Sequence, residues 1–280
     1  MATIAVLGMG LLGIGFAENL LAKGHIVRVW NRTASKCAPV VALGAHGAET
    51  PADAVQGAER VHLVLTADTA VDSVIAAMRP ALGADVPIVD HSTNLPTAVA
   101  TRSDRLRAEG VRYLHAPVFM APANSKAGTG LMLISGPTTE VEALRPALET
   151  MTGRLHFAGE RSDKAAGIKL IGNGLMFMMS GAMGDLFHLA EATGVSAEEV
   201  MGLFQTFAPT PVYLGQRVLN AGTAPASFEL TMARKDTALM IESAGADTLT
   251  VLPAVAAAMD RAIEAGLGSE DYAIFNKPGR

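Results

Sequence analysis

The chain has 280 residues, half of them hydrophobic, with a formal net charge of −5 and a pI of about 5.8. That is enough apolar material for one large domain or two ordinary ones, and without a basic face or a block of like charges it excludes a nucleic-acid footprint. A single cysteine, Cys37, excludes an internal disulfide framework and a cysteine-based metal cluster, and suits a reducing, cytoplasmic setting. In chain order, short β-branched runs predict strands at 3–8, 26–30, 61–65, 86–90 and 111–115. Helix-length stretches lie between them at about 11–23, 33–43, 69–79 and 96–109. Two more strands are expected at 131–136 and 154–159, with a helix over TTEVEALRPALET between them. After about Glu160 the pattern turns helical, near 162–192, 196–206, 210–220, 228–245 and 250–265. Pro209, Pro211, Gly222, Pro225, Gly245 and Pro253 punctuate this part, and Ser196 with Glu199 forms a capping-box pattern.

Strands alternating with helices predict a doubly wound parallel sheet. The stretch TIAVLGMGLLGIGF carries Gly8-Met9-Gly10-Leu11-Leu12-Gly13 between a strand and an amphipathic helix. In that context G-x-G-x-x-G reads as a dinucleotide-binding turn. Gly8 permits the tight turn, Gly10 lets the backbone approach a pyrophosphate, and Gly13 lets helix and strand pack closely. The expected architecture is therefore α/β: a Rossmann-type domain over 1–160, then an all-α domain over 161–280, joined by the long helix. Where an NAD site usually places a carboxylate after the second strand, this chain has Asn31-Arg32-Thr33. Arg32 can pair with a 2′-phosphate and Asn31 and Thr33 can donate to it, which favours NADP(H); the other reading is that Arg32 is a solvated surface residue and NAD is accepted too.

The N-terminal apolar run lacks a basic flank and is broken by glycines, so it does not read as a signal peptide. The segment GIKLIGNGLMFMMSGAMGD, 167–185, is interrupted by small and polar residues and falls short of the roughly 18 apolar residues of a membrane span. It reads as a buried helix that nonetheless carries Lys169 and Asn173, four residues apart and on one face. Two readings are open from the residues alone. Lys169 reaches the surface and Asn173 caps a kink, or the two serve a site. A helix apolar around so much of its girth buries against neighbours, so a homodimer or higher homo-oligomer through the helical domain is expected.

With the glycine turn, NRT, DHST and the lysine helix in this order, the chain resembles the β-hydroxyacid dehydrogenase family over nearly its whole length. That family includes 3-hydroxyisobutyrate dehydrogenases and glyoxylate/succinic semialdehyde reductases. The resemblance implies an NADP(H)-dependent oxidoreductase moving a hydride between nicotinamide and the carbonyl or hydroxyl of an aldehyde, ketone or β-hydroxy acid. It implies that Leu65, Thr66 and Ala70, in the loop after the fourth strand, line the dinucleotide. DHSTNLP resembles D-x-S-T-x-x-P and would put Thr93 near the nicotinamide. GIKLIGN resembles the family's lysine motif with a shorter glycine-to-lysine spacing, making Lys169 the general acid/base and Asn173 its catalytic partner. FELTMARKDTAL would place Lys235 against the cofactor, with Asp236 capping or orienting that segment.

One stretch departs from the family. Where D-A-P-V-S-G-G would cradle a substrate carboxylate, this chain has His115 and then Phe119-Met120-Ala121, followed by Pro122. The cradle is in question, and Phe119, Met120 and Ala121 predict a bulkier, less polar substrate wall. Phe119 and Met120 could instead point into the core and leave the backbone cradle intact. Two other functions compete: an imine reductase, which typically lacks the lysine, and a non-catalytic NADP-binding interaction protein. 6-Phosphogluconate dehydrogenase shares a similar helix but is much longer.

Overall fold

The computed structural model describes residues 1–192, 194–207, 209–244, 249 and 251–277. The first half begins with β1 (Thr3–Leu7), α1 (Leu11–Ala22) and β2 (Ile26–Trp30). A 3-10 turn at Ala34–Cys37 runs into α2 (Ala38–Val41), followed by β3 (His46–Gly47), α3 (Pro51–Val55), β4 (Arg60–Leu63) and α4 (Asp68–Met78). Then come β5 (Ile88–Asp90), α5 (Pro96–Ala108), β6 (Tyr113–His115) and β7 (Val118–Phe119). The sheet closes with α6 (Pro122–Ala127), β8 (Leu131–Ser135), α7 (Thr138–Glu149) and β9 (Arg154–Gly159).

The strand order is β3-β2-β1-β4-β5-β6-β8-β7, with β9 on β8. Strands β1 to β6 are parallel, as a doubly wound sheet requires. The sheet is not parallel throughout, however, because β8 runs antiparallel to β6 and β7. Those two short strands share one register against β8: His115 faces Ser135, Val118 faces Met132 and Phe119 faces Leu131. They are one line broken at Ala116-Pro117, where proline offers no N–H to a ladder. Strand β1 shows why the sheet is covered on both sides. Ile4 and Val6 enter the core beneath α1, Ala5 and Leu7 enter the opposite core with Val71 and Ile75 of α4, and all four are fully buried. Period-two alternation with both faces apolar is the mark of a parallel strand between helix layers.

The short elements β3, β7, α3 and α6 carry too few residues for a periodic signal and were not expected. The helix expected at 33–43 divides, because Pro39 in the first turn of α2 fixes a new helix start. The strand expected at 61–65 ends at Leu63, and its last two residues belong to a loop.

The remaining helices are α8 (Lys164–Ala192), α9 (Ala197–Phe207), α10 (Pro209–Asn220), α11 (Leu230–Ala244) and α12 (Leu252–Ala262). Gly245 and Thr250, within or at the ends of two expected helices, lie outside the described residues. The expected 250–265 helix ends at Ala262 in a wider turn over Ile263–Leu267, where Gly266 takes a φ of +86°. The capping box forms as expected: Glu199 N–H donates to Ser196 Oγ, and Ser196 N–H donates to a Glu199 carboxylate oxygen. The chain divides into two compact units, Met1–Lys169 and Leu170–Arg280. The second has its own core around Phe177, Phe187, Leu214, Val218, Met259 and Tyr272. Helix α8 is not enclosed all round, since Ile171 is 74% and Leu175 56% exposed.

Candidate functional site

The glycine turn lies where β1 hands over to α1. Gly8 takes a φ of +107°, and a Cβ there would fall 2.2 Å from the Val64 carbonyl oxygen. A Cβ on Gly13 would fall 1.8 Å from the Gly8 carbonyl oxygen. Both glycines are thus demanded by packing within the chain. Gly10 is not: a Cβ there would meet nothing within 4 Å. Close approach of a ligand to the backbone is the remaining reason for glycine at that position. Helix α1 also starts with no side-chain cap and no acidic residue in its first turn. The N–H groups of its first turn have no partners within the helix, an arrangement that suits a pyrophosphate. These residues fit a dinucleotide.

Asn31 follows β2 and accepts the Met9 N–H at 3.0 Å, while its own Nδ2 donates to the Thr33 carbonyl at 3.0 Å. It ties the glycine turn to the loop after β2, so part of the donating capacity expected for a 2′-phosphate is spent inside the chain. Arg32 and Thr33 are exposed, and Arg32 makes no ion pair among the described residues. Lys36, in the 3-10 turn, is a second exposed cation that the sequence motif did not single out.

At the carboxyl ends of β4 and β5 a polar network binds two loops together. Leu65 N–H donates to Ser92 Oγ at 2.9 Å, and Ser92 N–H donates to Asp90 Oδ1 at 2.9 Å. Tyr113 OH donates to Asp90 Oδ2 at 2.7 Å. Arg102, almost fully buried, pairs with both Asp68 and Asp72. Asp68 also accepts from Asn94 Nδ2 and from the Leu95 N–H. The result couples the segment carrying Leu65, Thr66 and Ala70 to the loop carrying Thr93. Sequence reading passed over Ser92, Asp68 and Asp90 as connectors. Their signal was a polar run, Asp90-His91-Ser92-Thr93-Asn94, directly after an apolar strand.

The loop after β7, expected to border the substrate, offers few free donors. Ala121 N–H is taken by Asn124 Oδ1 at 2.9 Å, and Pro122 has none. Phe119 packs on Leu133, Ala158 and Ala165, and Met120 packs against the core beneath α1, so both are half-buried rather than fully turned out. The Lys169 ammonium lies 4.2 Å from the centroid of the Phe119 ring. Lys169, Phe119, Met120 and Ala121 all belong to the first unit. In the second unit Asn173 is buried and its Nδ2 donates to Asp236 Oδ2 at 2.7 Å. Lys235 Nζ is 2.7 Å from Asp236 Oδ1. A buried carboxylate thus links the amide and amine that the sequence motif treated as separate.

The family described as the NAD binding domain of 6-phosphogluconate dehydrogenase matches residues 3–159. Glyoxylate/succinic semialdehyde reductase 1 of Arabidopsis thaliana is 28% identical over 96% of this chain and 95% of its own. The protein belongs to the β-hydroxyacid dehydrogenase family. The fold agrees: a Mycobacterium tuberculosis 3-hydroxyisobutyrate dehydrogenase structure with L-serine superposes with a TM-score of 0.84 at 22% identity, over 99% of this chain and 98% of the other. An imine reductase from Myxococcus stipitatus superposes less well, at 0.67 and 21% identity over 98% of each chain. As a β-hydroxyacid dehydrogenase-like protein, this chain is an oxidoreductase that binds a nicotinamide dinucleotide. No described helix is long and apolar enough to cross a membrane.

Three histidines of this β-hydroxyacid dehydrogenase lie buried near the same strand ends. Burial pushes the His62 imidazole well below its ordinary 6.5, with Arg60 and His91 adding to the effect. Burial takes His91 down to about 4, against the opposing pull of the Ala116 carbonyl and Asp90. His115 is lowered by burial as well. Each folded value lies below the unfolded one, so the unfolded chain binds more protons in between. Stability is therefore present above about pH 6.5 and is lost as pH falls toward 4. His91 alone should remove roughly 2 kcal/mol between pH 7 and pH 5. Urea midpoints at the two pH values test this. Equal midpoints would show that these rings are not neutral in the folded protein.

Proposed function

We propose that the protein is an NADP(H)-dependent reductase of aldehydes or ketones that needs little from a substrate carboxylate, with Lys169 as the general acid. The observation that carries this reading is the substrate loop. Its Ala121 donor is consumed, Pro122 supplies none, and an aromatic ring faces the Lys169 amine. When bound, the dinucleotide supplies the hydride in reduction and accepts it in oxidation. The chain's own part begins at Gly8–Gly13, which would hold the pyrophosphate, with Arg32 at the 2′-phosphate. Leu65, Thr66, Ala70, Thr93 and Lys235 would border the rest of the dinucleotide.

Lys169 donates a proton to the carbonyl oxygen as the carbonyl is reduced, and takes the hydroxyl proton in the reverse direction. The Phe119 ring attracts the ammonium over its face by about 0.5–1 kcal/mol at a partly exposed site. Asn173, one helical turn on, has its amide oriented by Asp236 and would orient the substrate oxygen. Phe119, Met120 and Ala121 form an apolar wall. Imine reduction is the second reading, favoured by the same apolar wall and by the fold shared with an imine reductase. Exposed Ile171 and Leu175 on α8 support a homodimer through the helical unit, and the lone cysteine supports a cytoplasmic setting.

NADPH should bind at least tenfold more tightly than NADH, about 1.4 kcal/mol, and Arg32→Ala should remove most of that difference. Fluorescence titration of both cofactors decides it, and equal affinities in the wild type would take Arg32 away from the 2′ position. Uncharged aldehydes should match or exceed glyoxylate and succinic semialdehyde in kcat/KM. A hundredfold advantage for the small acids would mean that a carboxylate cradle survives here. Lys169→Ala should lower kcat and kcat/KM together by roughly 10²–10⁴-fold with NADPH affinity within a few-fold. Lys169→Arg should not rescue, because guanidinium does not release a proton near neutral pH. A folded Lys169→Ala protein keeping more than about a tenth of carbonyl reduction would remove the lysine as proton donor. Retention of imine reduction by that variant would favour the second reading.

A further inference from the structure

A polar thread crosses the first unit beneath its candidate site. Arg60 Nε donates to His62 Nε2 at 2.7 Å, His62 Nδ1 lies 2.8 Å from His91 Nε2, and His91 Nδ1 lies 2.6 Å from the Ala116 carbonyl oxygen. The two imidazoles are nearly parallel, and Phe16 of α1 packs 5.0 Å from His91. Arg60, His62 and His91 are all buried. Only one placement of protons satisfies every link. A guanidinium can only donate and a carbonyl can only accept. His62 must therefore accept at Nε2 and donate from Nδ1, and His91 must do the same. The chain runs one way, from Arg60 to Ala116, with both rings neutral.

The far end of the thread is where the sheet line breaks. The Asp90 backbone carbonyl accepts the Ala116 N–H, and the Pro117 carbonyl accepts the Leu133 N–H in the β8 ladder. The Ala116 carbonyl is left for His91. His91 itself stands two residues before Thr93, and Ala116 stands three before Phe119. We propose that Arg60, His62 and His91 are positioning residues, whose one-way chain sets the separation between the Thr93 loop and the Phe119 loop. The role rests on the reading that these two loops flank nicotinamide and substrate. It does not depend on Lys169. Burying two imidazoles without bonds is costly, so the thread has one arrangement of lowest energy and holds the two loops in it.

Two measurements test this on the intact protein. Histidine ¹⁵N shifts at pH 7 should show both rings as the Nδ1–H tautomer. A Nε2–H tautomer or a charged ring at either position overturns the chain's direction. In kinetics, His91→Leu removes both links at similar volume, and His91→Gln keeps one acceptor and one donor. His91→Leu should bind NADPH within about threefold of wild type, since Gly8–Gly13 holds the phosphates, and lose at least tenfold in kcat. His91→Gln should recover most of that loss. If His91→Leu does not fold, Arg60→Met takes its place, with both rings kept and a smaller loss of kcat expected. A folded His91→Leu or Arg60→Met enzyme with kcat within twofold of wild type overturns the proposal. So does an equal loss of kcat and NADPH affinity that Gln fails to restore. If the wild type reduces no carbonyl, the functional reading fails separately, and bound-NADPH fluorescence becomes the readout. A lower yield in His91→Leu than in wild type then supports looser nicotinamide, and an unchanged yield overturns the positioning role.

Discussion

The backbone at Gly8 must pass within contact distance of two neighbours, and much of the first unit follows from that. No side chain fits between Gly8 and the Val64 carbonyl, or between Gly13 and the Gly8 carbonyl. Two residues along α1, a Cβ on Gly15 would fall 2.0 Å from Ser125 Oγ of α6. Three positions without side chains therefore fix how α1 leaves β1, crosses the sheet and meets α6. The first-turn N–H groups of α1 are held at the carboxyl edge of the sheet as a consequence. Gly10 lies inside this fixed turn but is not needed by it, which separates the glycines that build the fold from the one proposed to admit a ligand.

The carboxyl edge is also where the protein buries polar groups. Asp90, Ser92, Asn94, Arg102 and His115 are almost fully enclosed. Buried polar groups are tolerated when they are bonded, and a bonded network rigidifies what it touches. Here it touches the loops after β4, β5 and β6. The opposite design, an apolar edge, would leave those loops free to shift against each other. The histidine thread adds a directional link to the same edge, so the site loops are braced both by charge pairs at the surface side and by neutral rings in the core.

The helical unit solves a similar problem with one carboxylate. Asp236 holds the Asn173 amide and the Lys235 amine at 2.7 Å each. Arg217 pairs with Asp271 and lies over the Tyr272 ring at 4.5 Å. Removing one partner of such a buried pair leaves an uncompensated charge, which costs more than the pair contributes. Both pairs therefore fix the helices that carry them, and Asp236 fixes two residues of the proposed site at once.

Local chemistry made part of this legible from the sequence. Short apolar, largely β-branched runs marked the seven longer strands of the sheet, the glycine spacing marked the turn, and Ser196 with Glu199 marked a helix start that forms as read. Each of these signals is carried by residues within a few positions of one another. Short elements such as β3, β7, α3 and α6 gave no period to read. The antiparallel pairing of β8 and the bonds between Leu65 and Ser92 and between His62 and His91 join residues far apart in the chain, and nothing local encodes them. The sequence by itself determined a dinucleotide-binding turn, a parallel-dominated sheet, a helical second half and a lysine one turn before an asparagine. Only the tertiary structure decided that Asn31 supports the turn, that the Ala121 donor is spent, that an aromatic ring faces Lys169 and that burial pushes three histidines below their ordinary range. The reason is physical: hydrogen-bond partners, burial and ring contacts are properties of neighbours in space, and the fold chooses those neighbours.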